Sequence, residues 1–91
     1  MTQQYIVGEF SSLLGELQPA PHECAAAVGE LRRAVECSPV GVLPALAWEA
    51  LSLTDTICWA ALERGEVRAF VGYAKTAVAL REFTESAGLV G

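Results

Sequence analysis

The fold is decided by the stretch ICWAALERGEVRAFVGY, residues 57–73, in which one glycine separates two helical patterns. Gly65 can take the left-handed backbone conformation that other residues avoid, so it is the expected C-terminal cap of the helix before it. Glu66 then begins the next helix almost at once. Because the connection is so short, the two helices are predicted to be antiparallel neighbours.

Apolar residues at helical spacing continue toward the N-terminus and predict two further helices. The segment Pro19-Ala20-Pro21 separates these two, because proline lacks an amide hydrogen and keeps the preceding residue out of helical geometry. Ser38, Pro39 and Gly41 interrupt the pattern again, before the third helix. The four predicted helices span about residues 2–17, 21–36, 43–64 and 66–86.

The predicted fold class is all-α. No run of residues alternates apolar and polar side chains as a strand does, and the β-branched residues are dispersed. A chain of 91 residues is expected to form a single domain. Four helices with short connections predict an up-and-down antiparallel bundle, which dimerisation would complete if a second apolar face needs cover. Residues 87–91 are expected to fray.

The composition is unusually apolar, with 53% hydrophobic residues. Either the core is rich or a partner covers part of the surface. No uncharged apolar run reaches the roughly 18–20 residues of a membrane helix, since Glu49 and Asp55 interrupt the longest one. The N-terminal residues 1–5 also lack the basic start and apolar stretch of a signal peptide. We therefore expect a cytoplasmic protein without a membrane partner.

The fourth helix has apolar side chains on two nearly opposite faces. One face consists of Val67, Phe70, Val71, Ala74, Ala77 and Val78, and the other of Ala69, Tyr73, Leu80 and Phe83. A helix that is apolar on two sides is normally buried on two sides. In a four-helix bundle each helix has one inward face, so the second face needs another cover.

The face that contains Tyr73, Leu80 and Phe83 is expected to lie outside the bundle. Leaving Leu80 and Phe83 in water would forgo roughly 1.5–3 kcal/mol each, which is large beside a total stability of about 5–15 kcal/mol. Self-association through this face is therefore the first hypothesis. The alternative is that Leu89 and Val90 of the C-terminal tail cover it.

The third helix has a row of Trp48, Ser52, Asp55 and Trp59, predicted to lie on the border of its apolar face. In one interpretation both indoles lie flat over the bundle edge with their N–H groups in water. In another, they form an aromatic hot spot where a protein partner docks. A third interpretation is a ligand-binding or catalytic pocket between the third and fourth helices, lined by Trp48, Asp55, Trp59 and Tyr73, with Ser52 nearby.

Catalytic and metal-binding motifs are weak. The only histidine, His22, lies two residues from Cys24, and residues so spaced on a helix diverge by about 200°. Three cysteines cannot all pair within one chain, so reduced thiols are expected. No glycine-rich phosphate loop occurs. We therefore expect no cofactor and no metal, and a protein that is not an enzyme.

The charge pattern disfavours nucleic acid as a partner. The net charge is −5, and the six basic residues are scattered along the chain. A cluster of Arg32, Arg33 and Arg68 formed by the fold would revive the alternative of a nucleic-acid-associated regulator. The first hypothesis is a small interaction module, a homodimer that also binds another protein.

Overall fold

The computed structural model describes residues 2–90 and contains four α-helices within them, numbered α1 to α4 in chain order. They are α1 (Gln3–Gly15), α2 (His22–Cys37), α3 (Leu43–Glu63) and α4 (Val67–Ser86). A 3₁₀ turn, Val40–Val42, leads into α3, and the described residues contain no strand. The predicted all-α four-helix bundle is confirmed, and each helix end lies within two residues of its predicted position.

The helices pack in chain order and close into a ring. α1 packs against α2, α2 against α3, and α3 most extensively against α4, which returns to α1. The radius of gyration is 12.6 Å, close to the roughly 12 Å expected for a compact chain of this length. Within residues 2–90, no helix combines the length and the apolarity needed to cross a bilayer.

The turn between α3 and α4 has the predicted glycine cap. Gly65 has a φ of 72°. The Glu66 amide donates to the Ala61 carbonyl at 3.0 Å and the Gly65 amide donates to the Leu62 carbonyl at 3.0 Å. These two bonds form a Schellman motif, which satisfies carbonyls that the helix end would leave free. The cap therefore reverses the chain within a few residues and holds α3 beside α4.

Residues 87–90 do not fray, contrary to the expectation, and Gly91 lies outside the described residues. Gly88 has a φ of 74°, and the Leu89 amide donates to the Thr84 carbonyl at 2.8 Å, so α4 also ends in a glycine cap. This turn directs the tail back toward the bundle. Leu89 and Val90 are half-buried and pack against the core, which includes the buried Leu80 and Phe83.

The core consists of the inward side of every helix. Its members are Phe10, Leu13, Leu14, Leu17, Cys24, Val28, Leu31, Val35, Leu43, Leu46, Ala47, Ala50, Ile57, Leu80 and Phe83. Thr54 is also buried, and its hydroxyl donates to the Ala50 carbonyl at 2.6 Å. In the part of the chain that the structure describes, no buried side-chain nitrogen or oxygen lacks a hydrogen-bond partner. The monomer therefore satisfies its own interior.

The structure reverses the predicted faces of α4. Leu80 is fully buried and Phe83 is only 9% exposed, so the expectation that they form an outer interface is wrong. The smaller side chains of the other face point outward instead: Val67, Val71 and Val78 are 61%, 44% and 59% exposed. Leu80 and Phe83 have more apolar area than these valines, and turning them inward removes more of it from water.

Replacing Leu80 by alanine should lower the free energy of unfolding by about 2–5 kcal/mol, because it leaves a cavity in the core. The matched change Val78→Ala on the outer face should alter it by no more than about 0.5 kcal/mol. Urea denaturation at low protein concentration measures both. Equal losses for the two variants would show that α4 is rotated differently about its axis.

Candidate functional site

The outer side of α4 presents an exposed line of apolar residues, Val67, Val71 and Val78, hereafter the valine strip. Their spacings of four and seven residues correspond to nearly whole helical turns, so all three lie on one side of α4. The strip extends over about 16 Å of helix at 1.5 Å per residue. Ala74 lies between Val71 and Val78 and is half-buried. Contiguous exposed apolar residues of this kind are typical of interaction sites.

Charged residues line one edge of the valine strip. Arg68, Lys75 and Glu82 are exposed and follow one another at intervals of seven residues. The ion pairs found in residues 2–90 are Arg32 with Glu36 and Arg64 with Glu23, so none of the three edge residues has an ionic partner there. Their charges are available to another molecule.

On α3, all four residues of the row Trp48, Ser52, Asp55 and Trp59 are exposed, and we call this row the tryptophan ridge. The indoles of Trp48 and Trp59 are 60% and 64% exposed, too much for rings lying flat on the bundle. Ile57, which is fully buried, lies about 180° around the helix from Trp48. The expectation that the row borders the core face is therefore wrong, because the ridge lies on the far side of α3 from the core.

The pocket expected from Trp48, Asp55, Trp59 and Tyr73 does not form. Tyr73 is half-buried against the core, and its hydroxyl donates to the Pro19 carbonyl at 2.5 Å. Asp55 lies on the outer side of α3. Tyr73 and Asp55 therefore lie in different parts of the molecule and do not line one pocket. Tyr73 joins α4 to the connection between α1 and α2, whereas Asp55 faces solvent.

A different hollow lies between the start of α3 and the end of α4. Its volume is about 420 Å³, and it is lined by Trp48, Leu51, Arg81, Glu85 and Val90. Of the residues proposed from the sequence, only Trp48 contributes. Arg81 and Glu85 bring opposite charges, so the hollow has no net charge with which to select an ionic ligand.

The side chains suited to covalent or metal chemistry are separated. All three cysteines are free, and burial raises the pKa of the Cys24 and Cys58 thiols, with smaller contributions from the carboxylates of Glu23 and Asp55 respectively. A raised pKa keeps a thiol protonated and weakly nucleophilic. Within residues 2–90, no three His, Cys, Asp or Glu side chains come together in a way that could hold a metal ion.

One member of the predicted arginine cluster is engaged by side chains of α1 and α2. Arg32 donates from Nε to the Ser11 hydroxyl at 3.0 Å and lies 3.7 Å from the Glu36 carboxylate. Its guanidinium fills the space beside Gly15, where a Cβ would meet it at 3.1 Å. The small residues on this flank of α1 thus admit a side chain of α2, and they direct Arg32 toward α1.

Replacing Tyr73 by phenylalanine should lower the free energy of unfolding by about 0.5–1.5 kcal/mol at neutral pH, because the hydrogen bond to Pro19 is lost. Burial, reinforced by the nearby Glu66 carboxylate, raises the pKa of Tyr73 above its ordinary value of 10.0. The unfolded chain therefore ionises first, and the native protein should lose stability as the pH rises above about 10.

The Tyr73→Phe variant should lack the loss of stability above about pH 10 that comes from ionisation of Tyr73. Urea denaturation between neutral and alkaline pH measures the difference, with Tyr5→Phe, at an exposed tyrosine, as the control. If the free energy of unfolding of the native protein and of the Tyr73→Phe variant fell in the same way at alkaline pH, Tyr73 would not be the source of the loss.

Comparison with known proteins found no matching family model, no similar curated sequence and no similar solved structure. The valine strip with its charged edge and the tryptophan ridge are two surfaces that the monomer leaves exposed on α4 and α3.

Proposed function

We propose that this chain is a non-enzymatic interaction module that self-associates through the outer face of α4. The observation that supports the proposal is the exposure of the valine strip on a helix whose opposite side is already filled by Leu80 and Phe83. Burying both sides of such a helix needs a second molecule. The helix has two apolar faces, as expected, but the face assigned to the interface is the opposite one.

The size of the strip indicates a weak dimer. An interface made by one helix face of each copy buries less area than the roughly 1,200–2,000 Å² of stable complexes. The monomer leaves no buried polar side-chain group unsatisfied in residues 2–90, so it does not need the second copy in order to fold. We therefore expect a reversible equilibrium between folded monomer and dimer, with a dissociation constant on the order of micromolar.

The other hypotheses have less support. For a ligand site, the hollow beside Trp48 is charge-balanced, and the expected lining residues lie apart. For nucleic-acid binding, the net charge is −5, and Arg32 and Arg64 are each paired with a glutamate. The tryptophan ridge remains a surface for another protein, because exposed tryptophan is enriched where proteins dock.

Sedimentation velocity from low micromolar to submillimolar concentration should show the native protein converting from monomer to dimer. The double variant Val71→Glu/Val78→Glu should remain monomeric, because it would bury carboxylates in the interface. The matched control Ala26→Glu, at an exposed position of α2, should dimerise normally. Circular dichroism checks that each variant is folded.

A native protein that stays monomeric over the whole range would refute the proposal. Dimerisation that survives the α4 variant but is lost on Trp48→Ser/Trp59→Ser would assign the interface to the tryptophan ridge instead. Leu80→Glu is unsuitable for this test, since it places a charge in the core and should unfold the monomer.

A further inference from the structure

We infer that the two copies pack their α4 helices antiparallel, around a two-fold axis near Ala74 and Lys75, with Arg68 of each copy paired to Glu82 of the other. This arrangement rests on the proposed self-association and specifies its geometry. It identifies the occupant of the strip at Val71 and Val78 as the same two residues on a second copy of the chain.

The spacing of residues along α4 supports such an axis. Val71 and Val78 lie at equal distances before and after the midpoint between Ala74 and Lys75, whereas Arg68 and Glu82 lie seven residues on either side of Lys75. The two centres differ by half a residue, under about 1 Å along the helix. In a two-fold interface, residue i contacts residue j of the other copy and j contacts i. Rotation about this axis therefore places valine on valine and arginine on glutamate.

The directions of the side chains agree with this spacing. Val71 and Val78 are seven residues apart, nearly two turns, and Arg68 and Glu82 are fourteen apart, nearly four turns or about 21 Å. Both pairs consequently lie on the outer side of α4, with the charged pair along one edge. The two-fold axis of an antiparallel pair is perpendicular to the helices and keeps an edge residue on the same edge. Arg68 therefore faces Glu82 of the second copy along that edge.

Electrostatics favour the antiparallel pairing over the parallel one. In a parallel pair the two-fold axis runs along the helices and places the two charged edges on opposite sides of the interface, so Arg68 could not reach Glu82 of the other copy. The antiparallel pair brings the edges together and also opposes the two helix dipoles. Only Lys75 then meets its own copy near the axis, and its flexible stem lets the ammonium group turn to solvent.

The same pattern explains why the occupant is a second copy. Binding of an unrelated partner would require that its surface be complementary to this face of α4. It would not require that the residues on this face be arranged symmetrically. Here the pair Val71 and Val78 and the pair Arg68 and Glu82 are symmetric about nearly the same point, although Val67 has no valine equivalent across the axis. Neither Arg68 nor Glu82 has an ionic partner within residues 2–90. The edge is therefore complementary to itself.

Charge reversal tests the pairing. Arg68→Glu alone should raise the dimer dissociation constant about tenfold, because both ion pairs become pairs of like charges, and Glu82→Arg alone should do the same. The double variant Arg68→Glu/Glu82→Arg should recover native affinity to within about threefold, since the charges are exchanged and remain complementary. Arg33→Glu, at an exposed position of α2, is the matched control and should leave the dissociation constant unchanged.

Mixing the two single variants is a second test. In the heterodimer, the glutamate introduced in one chain would meet the arginine introduced in the other, and the native Glu82 of the first would meet the native Arg68 of the second. Both pairs are attractive. Native mass spectrometry at low ionic strength should show heterodimer well above its statistical share. Arg68→Glu mixed with native protein should show no such enrichment.

The outcomes separate the two proposals. A native protein that never dimerises refutes self-association and this geometry together. A native dimer that responds to the edge variants no more than to Arg33→Glu refutes the geometry but leaves self-association standing. Weakening by both single variants without recovery in the double variant or the mixture also refutes the pairing, since the residues would then lie near the interface without facing each other.

Discussion

The ring of Phe83 on α4 packs against Phe10 on α1, with the ring centroids 5.9 Å apart, and the fully buried Leu80 lies on the same side of α4. Together these contacts determine how α4 is rotated about its own axis. That rotation turns the valine strip outward and brings Arg68 and Glu82 to its edge. The surface proposed for self-association is therefore a consequence of how the core is filled.

The rest of the bundle supports this orientation from both ends. Near its start, α4 is joined to α3 by the glycine cap at Gly65, and Tyr73 is hydrogen-bonded to the Pro19 carbonyl in the connection between α1 and α2. Beyond the end of α4, Leu89 and Val90 fold back against the core. Because its inner face is in contact along most of its length, α4 can present a rigid outer face. Rigid faces lose less conformational entropy on association.

Much of the fold was predictable because its signals are local. The prolines and glycines between helices determine where the chain can leave helical geometry, and each predicted helix end lies within two residues of the observed one. The missed features depend on contacts between distant parts of the chain. Thr54 has a polar side chain but is buried, which is possible because its hydroxyl donates a hydrogen bond to a carbonyl of its own helix. The tail beyond Ser86 was predicted to fray because its contacts are with distant parts of the folded bundle, which the local sequence does not indicate.

The sequence by itself determined that α4 has two apolar faces and that one of them must lie outside a four-helix bundle. Only the tertiary structure decided that the face of Leu80 and Phe83 is the inner one and that the tryptophan ridge points away from the core. The physical reason is that helical periodicity specifies the angles between side chains on one helix. The rotation of that helix toward its neighbours is set by which arrangement buries the most apolar area at good packing.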